Sequence, residues 1–247
     1  MLIAPFLPKD IIYNYLEELS NHILQVPNQS KYPNSLMVGM PGKIIFLAYY
    51  SRLTGNEAFL DVSISNLESL FDNTTIDNTD ATSFGLGLAG LAWTLNLFIK
   101  ERFVEVEGDP LEVYDELFFE LAVNELSKGI YDYMHGGMGY GLIFIERARS
   151  VEALQNKLKV LVSILEETAI RDKGIYWRDP SIKDKVSINL GLAHGIPSLL
   201  ILLGRLYNIG IEKEKVLSLG EGIIECLSQV YIKDDVSCFP PTFEFDA

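Results

Sequence analysis

The stretch FGLGLAGLAWTLNLF, residues 84–98, is a cluster of small residues that leads into a run without a charged side chain. The run is apolar nearly all round, which is the pattern of a helix buried on every side. The next segment is different in kind. EGDP at 107–110 breaks the chain, and residues 111–130 then carry Glu112, Glu116, Glu120 and Glu125 on a wet face. One buried helix succeeded by one amphipathic helix is the unit that this stretch defines.

The unit recurs on both sides. VGMPGKIIFLAYY (38–50) is apolar and ends at the helix-stop residues TGN (54–56); residues 58–71 come next as its amphipathic partner, with Asp61 and Glu68. DYMHGGMGYGLIFI (132–145) is partnered by 151–170, with Lys157, Lys159, Glu166 and Glu167. NLGLAHGIPS (189–198) opens an apolar run to residue 207, partnered by 212–231. A small-x-x-small signature aligns the copies at Gly39/Gly42, Gly87/Gly90, Gly136/Gly139 and Gly195/Ser198, with successive steps of 48, 49 and 59 residues. A period near fifty with two helices per period predicts an all-α fold of stacked hairpins. The apolar first helices lie inside and the amphipathic second helices face water, in two layers that close as a toroid or stay open as a solenoid. Residues 10–24 add an amphipathic helix ahead of the repeats, and 27–34 read as a proline-bearing loop. Residues 173–180 read as a loop with a short extended piece, and the chain reads as irregular after 233.

The glycines have a packing role that suffices for Gly39, Gly42, Gly87 and Gly90: crowded helix starts approach closely there, and their free N–H groups need partners. They do not form a phosphate cradle, because no strand precedes them and no Lys-Ser/Thr comes after.

Composition narrows the class. The chain has 247 residues, 48% hydrophobic and 22% charged, which is enough for one sizeable core. A net charge of −14 argues against nucleic acid as a partner. The two cysteines, Cys226 and Cys238, form neither a C-x-x-C pair nor a disulfide framework, so a reducing, cytoplasmic compartment is the default. Residues 1–9 lack the basic and cleavage features of a signal peptide. The uncharged stretches 81–99 and 186–204 approach the length of a bilayer span. Glycines near their starts, with Asn96 in one and His194 and Pro197 in the other, fit buried helices better.

At these residues the chain resembles the lanthionine synthetase C-like family, the cyclases of class I lanthipeptide biosynthesis. The GLAG at 87–90, Asp132 with GGMG at 136–139, and LAHG at 192–195 carry the likeness, which runs from about residue 38 to 231. The resemblance implies an α/α toroid with a central zinc ion, held by two cysteines and a histidine in a Trp-Cys-x-Gly and a Cys-His-Gly segment. Neither segment comes after Ala193-His194-Gly195 here, and neither Cys226 nor Cys238 matches a ligand position. The expectation is therefore one domain over 1–247, C-terminally incomplete, with zinc expected for the complete family member and no ligand assigned in this chain. The implied reaction adds a peptide cysteine thiol to dehydroalanine or dehydrobutyrine and closes a thioether ring. The implied partners are a dehydrated precursor peptide and its dehydratase. By the same resemblance His194 is the acid/base and Asp132 its partner. This chain alone is expected to be inactive.

The residues also have plainer readings. His194 reads as a hydrogen-bonded core histidine at a helix mouth, in a segment without charge where solvation is not expected. Asp132 reads as a cap for free N–H groups. His135 stands directly before the third glycine cluster, a place from which it could face the site; without a matching family role it reads as structural, and His22 reads as solvated. A metal site from His135, His194 and one cysteine fits by ligand type, with no spacing to support it. Trp93 reads as core. Trp177 reads as a loop aromatic over the core edge, with a peptide groove as the alternative. Two other functions stand beside the cyclase. One is a non-catalytic helical-repeat module that binds peptide or protein. The other is a carbohydrate-active α/α toroid, which needs paired carboxylates at helix mouths where only Asp132 stands. An open run of hairpins would also leave an apolar flank for self-association.

Overall fold

A computed structural model describes residues 8–25, 30–74, 81–149, 151–178, 187–233 and 238–245. The N-terminal reading at 1–7, the loop positions 27–29 and 179–180, and the last residues 246–247 lie outside the described residues. Among the described residues there are nine α-helices and two three-residue strands, distributed over two units.

The first unit comprises residues 1–82 and 86–106. It holds α1 (Lys9–Gln25), α2 (Met40–Thr54), α3 (Ala58–Asn73) and α4 (Leu88–Lys100). Gly55 closes α2 in the left-handed conformation, φ 71°, as the TGN segment predicts. Ile44 and Ala48 of α2, Leu67 of α3, and Leu91 and Phe98 of α4 form the core with Phe103. The amphipathic α1 is the exception to the expected burial. Of its apolar face, Ile12, Tyr15, Leu19 and Leu24 are exposed, and Leu16 and Ile23 are half-buried.

The second unit comprises residues 83–85 and 107–247. A 3-10 turn (Glu112–Tyr114) precedes α5 (Asp115–Ser127), α6 (Gly137–Arg147) and α7 (Glu152–Thr168). Then come β1 (Ser187–Asn189), α8 (Ile196–Asn208), α9 (Lys213–Gln229) and β2 (Thr242–Glu244). Helix α6 packs against α5, α7 and α8; α9 packs against α7 and α8; and α5 touches α7. The apolar helices α6 and α8 thus lie side by side, backed by the amphipathic α5, α7 and α9. This is the layering that the repeats predict.

Two readings are corrected. The helix expected over 111–130 is shorter. Asp109 accepts the Leu111 N–H through Oδ1 (3.0 Å), which turns the chain before α5, and Gly129 at φ 78° ends it. The tail read as irregular forms β2, antiparallel to β1, with Ile188 opposite Phe243. The loop after α7 is pinned to α9, where the Ile175 N–H donates to Gly222 O (2.7 Å). Trp177 covers the core edge as expected. It is 2% exposed, and its indole N–H donates to Leu165 O (3.2 Å) and Thr168 Oγ1 (3.1 Å). No helix among the described residues is long and apolar enough to cross a membrane.

The glycine signature has a specific cause. No side chain caps α2, α4, α6 or α8; the preceding loop supplies carbonyls instead. Gly39 N–H donates to Ser35 O (2.9 Å), Leu88 to Ala81 O (3.1 Å), Gly136 to Asp132 O (3.0 Å) and Gly195 to Gly191 O (2.8 Å). The loop therefore lies against the helix start. A Cβ at Gly136 would stand 2.6 Å from Ile130 O, and one at Gly195 would stand 2.3 Å from Asn189 O. Backbone oxygens cannot give way to that degree, so these positions exclude a side chain.

Candidate functional site

Asp132 lies in the loop that enters α6. Its Oδ1 accepts the backbone N–H groups of Met134 (3.0 Å) and His135 (2.9 Å), which fixes the carboxylate at the helix mouth. The same oxygen lies 3.1 Å from Nδ1 of His194. His194 directly precedes Gly195, the N-cap of α8, and the packing of α8 beside α6 brings the two mouths together. The two N–H groups that Asp132 holds lie in the loop before the N-cap Gly136, so the residue braces that loop and does not cap α6 itself.

The pair has a definite chemical polarity. An ionised carboxylate can only accept, so Nδ1 of His194 carries the proton of this hydrogen bond. Nε2 is then left for outside chemistry. The Asp132 side chain is 14% exposed and that of His194 is 48% exposed. The apolar neighbourhood in sequence had argued against solvation of His194. The residue stands at the mouth and not in the helix, and its charged partner comes from 62 positions earlier.

A third residue joins them. The ring of His135 stacks on that of His194, with centroids 5.2 Å apart and planes 20° from parallel. The sequence left His135 as structural. The signal that finds it is register: His135 and His194 each directly precede the N-cap glycine of consecutive aligned copies. Beside His135, the Gly85 N–H donates to Met134 O (2.7 Å). A Cβ at Gly85 would lie 3.6 Å from Cε1 of His135. His22 is exposed on α1 of the first unit, and Trp93 of α4 is half-buried.

The described residues do not fit a zinc centre. No group of three or more His, Cys, Asp or Glu among them is placed to hold a metal ion. Cys226 is buried on α9, and burial, with the carboxylates of Asp172 and Glu225, pushes its thiol up to about 11. This opposes the thiolate form that a metal requires. Cys238 is exposed on the tail.

The profile of the lanthionine synthetase C-like protein family matches residues 30–244. Among solved structures, nisin cyclase superposes with a TM-score of 0.72 at 18% identity, covering 96% of this chain and 62% of that chain. The likeness assigns the α/α-toroid fold class. The chain thus spans less than two thirds of the length of that enzyme. No curated protein gives a significant sequence match.

Proposed function

Because the chain belongs to the lanthionine synthetase C-like protein family, we propose that Asp132 and His194 form the proton-transfer element of a peptide cyclase that closes thioether rings. The supporting observation is the hydrogen bond from His194 Nδ1 to an Asp132 oxygen already fixed by two backbone N–H groups. It presents Nε2 of a half-exposed imidazole, a side chain that can both take and give a proton.

The substrate is a peptide that bears a cysteine and a dehydroalanine or dehydrobutyrine. A cysteine thiol is about a few per cent ionised at neutral pH. Nε2 takes the thiol proton, sulfur bonds to the β-carbon, and the π pair moves into an enolate. Nε2 then returns the proton to the α-carbon, so that one S–H and one C=C π bond are replaced by one C–S and one C–H bond. Asp132 keeps Nδ1 protonated throughout and so keeps Nε2 as the exchanging atom. Zinc, in family members that bind it, supplies a thiolate. The described residues supply no donor set for it, and no step of this proton transfer uses it.

The absence of a three-ligand group among the described residues also favours a second reading, a binding module for peptides without ring closure. One experiment separates the two. A dehydrated peptide is incubated with the chain and with His194→Ala, free thiols are then alkylated and counted by mass, and peptide binding is measured in parallel. Ring closure by the parent and not by the variant supports the proton-transfer role. Closure by both removes it. Equal binding with closure by neither supports the module.

A further inference from the structure

We infer that His135 is a positioning residue for His194, a role that rests on reading His194 as the proton-transfer group. The Asp132 hydrogen bond leaves one freedom open. A bond from Nδ1 to a single oxygen holds one corner of the ring, but rotation about the side-chain bonds can still swing the ring off that oxygen. His194 is half exposed, so few neighbours oppose that rotation. The stacked ring of His135, 5.2 Å away and 20° from parallel, supplies the missing restraint by fixing the plane. Together the bond and the stack aim Nε2.

The repeat architecture explains why the two rings meet. Gly136 and Gly195 are held alike, each N–H donating to a carbonyl of its own loop, at Asp132 and Gly191. The residues just before them therefore leave their helix mouths in equivalent attitudes, and the packing of α6 on α8 sets those mouths side by side. The aligned positions in the other copies hold Val38 and Leu86, so a ring is not what the mouth itself requires. Asp132 Oδ1 ties the pair together, accepting the backbone N–H of His135 and bonding the ring of His194. Gly85 lies near the same loop, its N–H donating to Met134 O at 2.7 Å. Face-to-face stacking is the geometry of a support and not of a proton relay, so His135 is given no proton.

The test uses the 247-residue chain labelled with nitrogen-15 in its three histidines, the parent, His135→Ala and His135→Phe. Long-range proton–nitrogen spectra report which ring nitrogen of His194 carries the proton, and kcat and KM are read on a dehydrated peptide. The parent and His135→Phe should show a single Nδ1–H form of His194. His135→Ala should show a mixture of tautomers, with kcat lowered by about ten- to a hundredfold and KM little changed, a loss of the size expected for a misplaced catalytic group. Phenylalanine should restore kcat, since it keeps the flat face. An unchanged tautomer in His135→Ala overturns the inference, and so does a failure of His135→Phe to restore it. If the parent closes no rings, the cyclase reading fails, and the tautomer comparison alone decides the role of His135.

Discussion

Arg147, the last residue of α6, grips Asp115, the first residue of α5, with both terminal nitrogens, one of them bonding Oδ2 at 3.0 Å. Its Nε and Nη2 also reach Oδ2 of Asp109, at 3.1 and 2.5 Å. The residue is 5% exposed. Burial works against its charge, yet the two carboxylates hold its pKa above the ordinary arginine value. Arg147→Met would leave Asp115 buried without its cation. The expected cost is about 3–5 kcal/mol, the range for breaking a buried pair on one side. Urea unfolding of the variant measures it, and a loss under about 1 kcal/mol would mean that the pair is effectively solvated.

Asp132 has two separable duties. Asp132→Asn keeps an oxygen for the N–H groups of Met134 and His135 and loses the charge beside His194. It should unfold within about 0.5 kcal/mol of the parent, whereas Asp132→Ala should lose about 1–3 kcal/mol, the cost of taking a charged acceptor from loop N–H groups. Both should lose ring closure. Full closure by Asp132→Asn would leave the residue with the loop-bracing duty alone.

Gly195 and Gly204 stand nine positions apart on the same helical segment and should respond in opposite ways. A Cβ at Gly195 meets Asn189 O at 2.3 Å and Gly191 O at 2.5 Å, whereas one at Gly204 meets nothing within 4 Å. Gly195→Ala should cost about 1–3 kcal/mol and draw His194 away from Asp132. Gly204→Ala should stabilise the chain by up to about 1 kcal/mol, since alanine is the better helix residue in an interior turn. Melting curves of the two variants test the contrast.

The two thiols should differ sharply towards an alkylating reagent. Cys238 is exposed and should react at neutral pH, whereas Cys226 is buried and should react only on unfolding. The raised thiol of Cys226 also sets an alkaline limit. Below about pH 8.5 the thiol is protonated in folded and unfolded chains alike, and stability is full. From there towards 11 the unfolded thiol ionises and the folded one does not, so stability falls as pH rises. Tyr176 extends the trend, since burial and then Asp172 push its phenol up to about 12. Urea midpoints of Cys226→Ala and the parent, compared at about pH 8 and about pH 10, should diverge at the higher pH, with the parent the weaker.

The repeats were legible because glycine spacing is a one-dimensional trace of the helix mouths. Each mouth needs a bare Cα where its own loop crosses, and that need recurs at Gly39, Gly87, Gly136 and Gly195. Asp132 and His194 were singled out through the family resemblance, and the structure sets their side chains 3.1 Å apart. Other features were not. Arg147 and Asp109 are 38 positions apart, and nothing local marks Arg147 as buried. The strands β1 and β2 are three residues each, too short for an alternation to declare itself. The stack of His135 on His194 needed the packing of α6 on α8, which periodicity predicts only as a layer and not as a contact between side chains.

Because loop carbonyls and not side chains hold the starts of α2, α4, α6 and α8, the residue before each N-cap glycine is released from architectural work. Such positions are sockets: the scaffold is finished without them, and whatever side chain is plugged in is displayed in a reproducible attitude. Two sockets hold imidazoles and two hold hydrocarbons. A new reactive group grafted at Val38, where the side chain is already exposed, should therefore be accepted without refolding the mouth that carries it.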